Sequence, residues 1–134
     1  MGMSIDSQRP AGDEVATVLV VEDDPALRML CRVNLELENY RVLEAPTVER
    51  AEELLRGENV DVVLLDVHVG SGDGFKVLAE LNDERVALFT GSFEVDAQRS
   101  AEVDAVLRKP FTLTDLSETV GRLAAREAGG SRFR

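Results

Sequence analysis

The sequence TVLVVEDDP, residues 17–25, sets the class of fold. Its first part, Thr17–Val21, is an unbroken apolar and β-branched run, which is typical of a strand buried on both faces. Asp24 and Pro25 then indicate a helix start, because aspartate caps helix N-termini and proline suits the first helical position. The stretch therefore predicts a buried strand that passes directly into a helix, with two further acids at the junction.

The same succession of strand and helix recurs along the rest of the chain. Further strands are predicted at Tyr40–Ala45, Val60–Leu65, Val86–Phe89 and Ala105–Arg108. Apolar residues follow helical spacing at residues 27–39, 48–57, 75–81 and 113–123, and only poorly at 91–104. Gly70–Gly74 is predicted to be a loop from its composition. This alternation indicates a parallel sheet with helices on both faces.

Composition limits the classes of function. The 134 residues suffice for one domain with a sizeable core, and a net charge of −11 disfavours contact with nucleic acids or anionic membranes. No segment has the apolar length of a membrane span or a secretory signal. The single cysteine, Cys31, excludes an intramolecular disulfide and a zinc cluster, and its helical position predicts a core residue. We therefore expect a cytoplasmic protein whose acids suit a basic protein partner or a hard metal ion.

Polar residues stand where the predicted strands end. The positions are Glu22, Asp23 and Asp24 after the first strand, Asp66 after the third, Thr90 after the fourth and Lys109 after the fifth. Such strand ends meet at the ligand-binding edge of a doubly wound sheet. Converging acids repel one another, and oxygen ligands without a nearby thiol favour Mg²⁺ or Mn²⁺ as the cation that relieves the repulsion. A hydroxyl and an ammonium beside these acids suggest phosphoryl chemistry with a carboxylate nucleophile.

Four short motifs, taken in order, resemble the receiver domain of two-component response regulators. They are VVEDDP at 20–25, LLDVHVGSGDG at 64–74, FTG at 89–91 and KPF at 109–111, within a resemblance that spans about 17–125. The resemblance implies a single doubly wound (βα)5 domain of the α/β class, similar to flavodoxin. Its five-stranded parallel sheet would have the order 2-1-3-4-5 and be flanked by helices. We predict the domain at 15–126, between a flexible arm at 1–14 and a flexible tail at 127–134.

The resemblance also implies a phosphoacceptor and a metal site. Asp66 would accept a phosphoryl group from a histidine kinase or a histidine phosphotransfer protein. Asp23 and Asp66 would bind Mg²⁺ directly, with Mn²⁺ as an alternative, and Glu22 would bind it directly or through water. The backbone carbonyl of His68 would complete the protein's share of ligands. Asp24 is interpreted as a helix cap rather than a ligand.

Three more positions take their roles from the same resemblance. Thr90 would contact the phosphoryl oxygens and shift on activation, as the switch residue. Lys109 would pair with Asp66 and then with the phosphate, and would precede a cis bond to Pro110. Val106 occupies the switch position at which the family usually has an aromatic residue. Valine cannot make the aromatic swing, which leaves open how Thr90 is coupled to output.

Two segments depart from the family pattern. Gly70 stands where the family usually has proline, which predicts a more mobile loop after the phosphoacceptor. The stretch between the threonine and lysine motifs is shorter than usual and has a poor helix pattern. This motivates the hypothesis that output travels through ordering of residues 91–104.

The predicted function is a phosphorylation-switched signalling receiver, not an enzyme, that changes its affinity for an unidentified downstream protein. One alternative is a degenerate receiver that takes no phosphate and acts as a docking surface. The other is a Mg²⁺-dependent phosphohydrolase with an aspartate nucleophile, which would need two acids flanking one residue after the first strand, followed by threonine. The actual run is EDDP at Glu22–Pro25, and the matching nucleophile, Asp66, stands after the third strand. Homodimerisation on activation stays open, as does excision from a longer protein.

Overall fold

The computed structural model describes residues 15–70, 72–91 and 102–129. The strands are β1 (Thr17–Val21), β2 (Arg41–Ala45), β3 (Val62–Asp66), β4 (His68–Val69), β5 (Gly72–Asp73), β6 (Arg85–Thr90) and β7 (Ala105–Arg108). The helices are α1 (Pro25–Leu37), α2 (Val48–Gly57), a 3-10 helix (Gly74–Glu80) and α3 (Leu113–Gly129). The predicted arm, 1–14, lies outside the described residues, as do 92–101 of the predicted helix 91–104.

The predicted sheet is confirmed. Five parallel strands lie in the order β2-β1-β3-β6-β7, which corresponds to 2-1-3-4-5 among the strands of this sheet. The three central strands are buried along their whole length, which explains their almost unbroken apolar sequences. Val21 lies level with Ala45 and Leu65, and Asp66 lies level with Phe89. The carboxyl ends of the strands therefore share one edge.

Alternate residues of the central strands face two separate cores. Leu19 and Leu65 pack with α2 and the 3-10 helix on one face, whereas Val20 and Leu64 pack with α1 and α3 on the other. Cys31 is fully buried in the second core, as predicted. Burial raises the pKa of its thiol to about 12. Cys31 is therefore a neutral packing residue.

The helix starts are set by capping side chains, among them Asp24, which the sequence predicted as a cap. Asp24 accepts a hydrogen bond from the amide two residues on, and Thr47 from the amide three residues on, each at 3.0 Å. Thr112 and Asp115 form a reciprocal capping box of 2.9 and 3.2 Å. At the other end, α3 continues to Gly129, past the predicted boundary at residue 126, and 130–134 lie outside the described residues.

The predicted loop at Gly70–Gly74 is partly wrong, because Gly72–Asp73 is a strand of an antiparallel hairpin and Gly74 begins the 3-10 helix. In this hairpin β4 pairs with β5, with His68 opposite Asp73 and Val69 opposite Gly72. Gly70 begins the turn with φ +59°, a conformation that glycine adopts without steric cost. Val69 is buried and anchors the hairpin to the core. A two-residue strand is too short for its alternation to show in the sequence.

The predicted helix at 75–81 is a 3-10 helix over Gly74–Glu80. Asp73 caps it by accepting from the Phe75 amide at 2.9 Å, and the Leu81 amide ends it by donating to the Leu78 carbonyl at 3.2 Å. That last bond has the i to i+3 spacing of a 3-10 turn.

No helix within residues 15–70, 72–91 and 102–129 is long and apolar enough to span a membrane.

Candidate functional site at the carboxyl edge of the sheet

Three acids meet at the edge where β1 and β3 end. Glu22, Asp23 and Asp66 each offer a carboxylate oxygen, and these oxygens all lie within 4.8 Å of one another. Glu22 is only 1% exposed and Asp66 only 6% exposed, whereas Asp23 is open to solvent. The parallel register causes this arrangement, because β1 and β3 are neighbours and end at the same level. The predicted convergence of these three side chains is confirmed.

Glu22 is the most enclosed of the three acids. Its Oε1 accepts from the Lys109 Nζ at 3.0 Å, and its Oε2 accepts from the Asp24 amide at 3.1 Å. Burial raises the pKa of the Glu22 carboxyl, and the charge of Asp66 adds to the rise, while the bonds from Lys109 and Asp24 oppose it. The edge of the sheet thus holds a carboxylate that a cation would stabilise.

Lys109 is the cation that faces these acids. Its Nζ lies 3.0 Å from Glu22 Oε1 and 3.6 Å from Asp66 Oδ2. The predicted pairing with Asp66 is therefore present, but Glu22 is the nearer partner. Burial alone would lower the pKa of Lys109, yet the hydrogen bond to Glu22 and the charges of Asp66 and Glu22 outweigh it and raise that pKa. The Lys109–Pro110 peptide bond is cis, as the resemblance implied.

The backbone after Asp66 turns toward the site. The His68 amide donates to Asp66 Oδ1 at 3.0 Å, and the Gly74 amide donates to the Val67 carbonyl at 2.9 Å. Along an antiparallel ladder, hydrogen-bonded residue pairs alternate with non-hydrogen-bonded pairs. Val67 and Gly74 are hydrogen-bonded, so the next pair, His68 and Asp73, is a non-hydrogen-bonded pair. In such a pair the amide points away from the partner strand, and the His68 amide accordingly faces Asp66.

Thr90 and Val106, the two predicted switch residues, differ in their placement. Thr90 ends β6, is 1% exposed, and accepts a 2.7 Å hydrogen bond from the Lys109 amide at its carbonyl. Val106 is half-buried within β7 opposite Leu88, two positions before the end of that strand. The structure therefore brings Thr90, but not Val106, to the edge that carries the acids.

Two contributors to this edge were missed by the sequence analysis. Phe111 stacks on Phe89 with ring centroids 5.0 Å apart, which ties the segment after the cis proline to the strand of Thr90. Arg28 Nη1 donates to the Glu22 carbonyl at 2.9 Å. Its position one turn into α1 was visible in the sequence, but nothing in the sequence indicated where its side chain points.

Comparison with known proteins agrees with this geometry. Residues 18–121 match the family model of the response regulator receiver domain. The chain belongs to this family. It is thus a receiver domain of the response regulators found in two-component systems, and its fold is that of the CheY-like receivers.

Curated relatives and a solved structure show how far the similarity extends. The receiver is 32% identical to the transcriptional regulatory protein PdtaR of Mycobacterium tuberculosis over 124 residues, covering 87% of this chain and 58% of PdtaR. It is 32% identical to the KDP operon transcriptional regulatory protein KdpE of Escherichia coli over 108 residues, covering 76% of this chain and 48% of KdpE. The chain therefore spans about half the length of these curated relatives. The response regulator TrrA of Thermotoga maritima, solved in complex with Mg²⁺-BeF, is 28% identical with a TM-score of 0.74, covering 81% of this chain and 99% of that one.

The acid cluster of this receiver fits a magnesium ion. Its candidate donors, Glu22, Asp23 and Asp66, are all carboxylates, and hard oxygen ligands are those that Mg²⁺ prefers. Asp23 is exposed, so the cluster opens to solvent on one side, as suits an ion that retains several waters. A divalent cation would also relieve the repulsion that helps to raise the pKa of Glu22.

Lys109→Met is expected to lower the free energy of unfolding by about 1–3 kcal/mol in Mg²⁺-free buffer, because a buried acceptor loses its donor. The substitution leaves the buried Glu22 and Asp66 carboxylates without the cation that now lies between them. Urea unfolding with a chelator measures the loss. Because the folded-state pKa of Lys109 is raised, its contribution is fully present below the ordinary lysine pKa and is lost as the pH rises through the folded-state value.

Added Mg²⁺ should restore most of the stability of Lys109→Met, because the ion replaces the missing positive charge. The matched control is Lys76→Met, since Lys76 is exposed on the 3-10 helix, and it should change the unfolding free energy by less than about 0.5 kcal/mol. A loss in Lys109→Met that is the same with and without Mg²⁺ would contradict the role of Lys109 as counter-ion.

Proposed function

We propose that Asp66 accepts a phosphoryl group from a phosphohistidine on a histidine kinase or histidine phosphotransfer protein, with Mg²⁺ bound to the acid cluster. The modified receiver would then change its affinity for a downstream protein. The observation that carries the proposal is the placement of Asp66 in a receiver fold. This carboxylate is 6% exposed, has an ammonium 3.6 Å away, and lies within 4.8 Å of two acids suited to a metal.

The two oxygens of Asp66 have different surroundings, which suggests their roles. Oδ1 accepts from the His68 amide at 3.0 Å, and Oδ2 lies 3.6 Å from the Lys109 ammonium. We assign Oδ2 as the nucleophile because the phosphoryl oxygens would then lie near Lys109. The new bond joins Oδ2 to phosphorus, while the bond from phosphorus to the histidine nitrogen breaks and its electron pair leaves with the ring.

The other residues of the site would orient the transferring phosphoryl group and neutralise its charge. Bound Mg²⁺ would supply charge neutralisation on the transferring phosphoryl group. Glu22, Asp23, Asp66 and the His68 carbonyl would hold the ion, and Lys109 would pair with the phosphoryl oxygens. Thr90, buried at the end of β6, would contact the same oxygens. The chain would thus act as a regulator that carries its own acyl phosphate rather than as an enzyme that turns over external substrates.

Incubation with acetyl phosphate, and separately with phosphorylated histidine kinases of the host, tests this function. We expect labelling at Asp66 with Mg²⁺ and none with a chelator, detected by intact mass and by loss of the label in hydroxylamine. Absence of labelling from every donor would favour the degenerate docking receiver. Steady turnover of small phosphate esters would favour the phosphohydrolase.

Asp23→Asn is expected to weaken Mg²⁺ binding by about tenfold or more, because losing even a group that only orients a ligand costs a metal site about that much affinity. Asp23 is exposed, so the fold should remain intact. Isothermal titration with MgCl₂ measures the affinity, and urea unfolding checks the stability. The matched control is Asp24→Asn, since asparagine caps α1 as well as aspartate does. Equal Mg²⁺ affinity in Asp23→Asn and the unmodified chain would remove Asp23 from the ligand set.

A further inference from the structure

Arg28 connects the acidic loop after β1 to the end of β2. Its Nη1 donates to the Glu22 carbonyl at 2.9 Å and approaches the Asp23 carbonyl at 3.5 Å. Its Nε donates to Glu44 Oε1 at 3.0 Å, and its side chain is only 19% exposed. A guanidinium is planar and can direct separate donors to two acceptors at once, which a lysine ammonium cannot do in the same geometry. The side chain therefore acts as a rigid bridge between two segments.

Two residues at the end of β2 fix the backbone of Glu22, one through its amide and the other through its carbonyl. The Ala45 carbonyl accepts directly from the Glu22 amide at 3.0 Å. Glu44, one residue earlier, holds the Glu22 carbonyl indirectly through Arg28. The Glu44 side chain is itself held by Arg32, whose Nε lies 3.0 Å from Glu44 Oε2. The backbone that carries Glu22 and Asp23 is thus tied to a strand of the sheet rather than left to a free loop.

We propose that Arg28 is a positioning residue for divalent-cation binding, which it promotes by fixing the Glu22–Asp23 backbone against β2. The inference rests on the proposed function, because it assumes that these acids hold Mg²⁺. Groups that orient the ligands of a metal ion contribute to metal affinity even though they never touch the ion. Arg28 reaches the loop through backbone carbonyls, so it leaves the carboxylates available to the metal.

The direction in which Mg²⁺ affinity changes when Arg28 is replaced distinguishes positioning from simple electrostatics. A cation beside a metal site repels Mg²⁺, so on Coulomb's law alone Arg28→Ala would bind Mg²⁺ more tightly. Positioning predicts the opposite, a dissociation constant roughly tenfold higher. Arg28→Lys keeps the charge but cannot donate to the Glu22 carbonyl and to Glu44 in the same geometry. We therefore expect it to weaken Mg²⁺ binding as well, but by less than Arg28→Ala.

Arg32→Ala is the matched control. Arg32 shares the Glu44 partner and has the same charge, but its bonds run to Glu44 and Glu36 and not to the loop carbonyls. Its removal should leave the Mg²⁺ dissociation constant within about twofold of the original value. Isothermal titration of the full chain with MgCl₂ gives the affinities, and urea unfolding in chelator gives the stability of each variant. If Arg28→Ala does not fold, Arg28→Lys carries the comparison.

The outcomes separate this inference from the function on which it rests. No Mg²⁺ binding by the unmodified chain would defeat both. Mg²⁺ binding by the unmodified chain, together with equal or tighter binding by Arg28→Ala, would overturn positioning alone. An equal weakening of Mg²⁺ binding in Arg28→Ala and Arg32→Ala would overturn it too, because the loss of a Glu44 partner, which the two variants share, would then explain the change. Selective weakening in both Arg28 variants supports it.

Discussion

Asp66→Asn is expected to abolish phosphoryl labelling from acetyl phosphate and from any histidine phosphodonor. An amide oxygen is a far weaker nucleophile than a carboxylate, and the substitution changes the shape of the side chain very little. The contact of Oδ1 with the His68 amide can persist, since the asparagine oxygen also accepts a hydrogen bond. Intact-mass measurement after incubation with donor and Mg²⁺ therefore reports the chemistry rather than a loss of fold.

The control for this substitution is Asp73→Asn. Asp73 lies in the same hairpin, but it is exposed and caps the 3-10 helix, a role that asparagine also fills. Asp73→Asn should be labelled as fast as the unmodified chain. Labelling that persists in Asp66→Asn would place the phosphoryl group on another side chain and remove the basis of the proposed function.

Gly74→Ala is expected to lower the free energy of unfolding by about 3 kcal/mol, the upper end for overpacking. A Cβ at this position would overlap the Asp66 carbonyl oxygen and lie 2.9 Å from the Val67 carbonyl oxygen. Both obstacles are backbone atoms, so no side-chain rotation relieves the clash. The end of β3 would have to shift, and the phosphoacceptor would shift with it. Urea unfolding measures the stability, and the initial labelling rate should fall in parallel.

Gly57→Ala is the matched control for Gly74→Ala. A Cβ at Gly57, the last residue of α2, meets nothing within 4 Å. This substitution should leave stability unchanged or raise it by about 0.4–1 kcal/mol, because alanine restricts the unfolded chain. Equal effects of the two substitutions would show that residue 74 tolerates a side chain and that the hairpin does not constrain the end of β3.

Much of the fold and of the site could be predicted from local sequence patterns. The continuous apolar runs of β1 and β3 predicted strands buried on both faces, and the structure confirms their burial and their position inside the sheet. Residues that cap helices do so through hydrogen bonds two or three residues along the chain, as at Asp24 and Thr47. Strand ends in a parallel sheet share an edge, which is why the meeting of Glu22 and Asp66 could be predicted.

The predictions were incomplete in two short segments, where the sequence preferences for alternative local structures are nearly balanced. The strands of the β4–β5 hairpin have two residues each, too few to show an alternating pattern, and the helical spacing at 75–81 does not distinguish a 3-10 helix from an α-helix. What selects them is contact with the rest of the domain. Val69 is buried in the core, and Gly74 packs directly against the backbone at the end of β3.

Local patterns in the sequence predicted the buried strands and the group of acids at their ends, because burial patterns and strand ends are local properties, and the family resemblance implied the order of the strands. Which side chains share partners across that edge is visible only in the three-dimensional arrangement of the domain. Lys109 lies closer to Glu22, 87 residues away, than to Asp66, and Arg28 joins the Glu22 carbonyl to Glu44. Such contacts depend on side-chain directions in three dimensions, and the spacing of residues along a chain does not specify those directions.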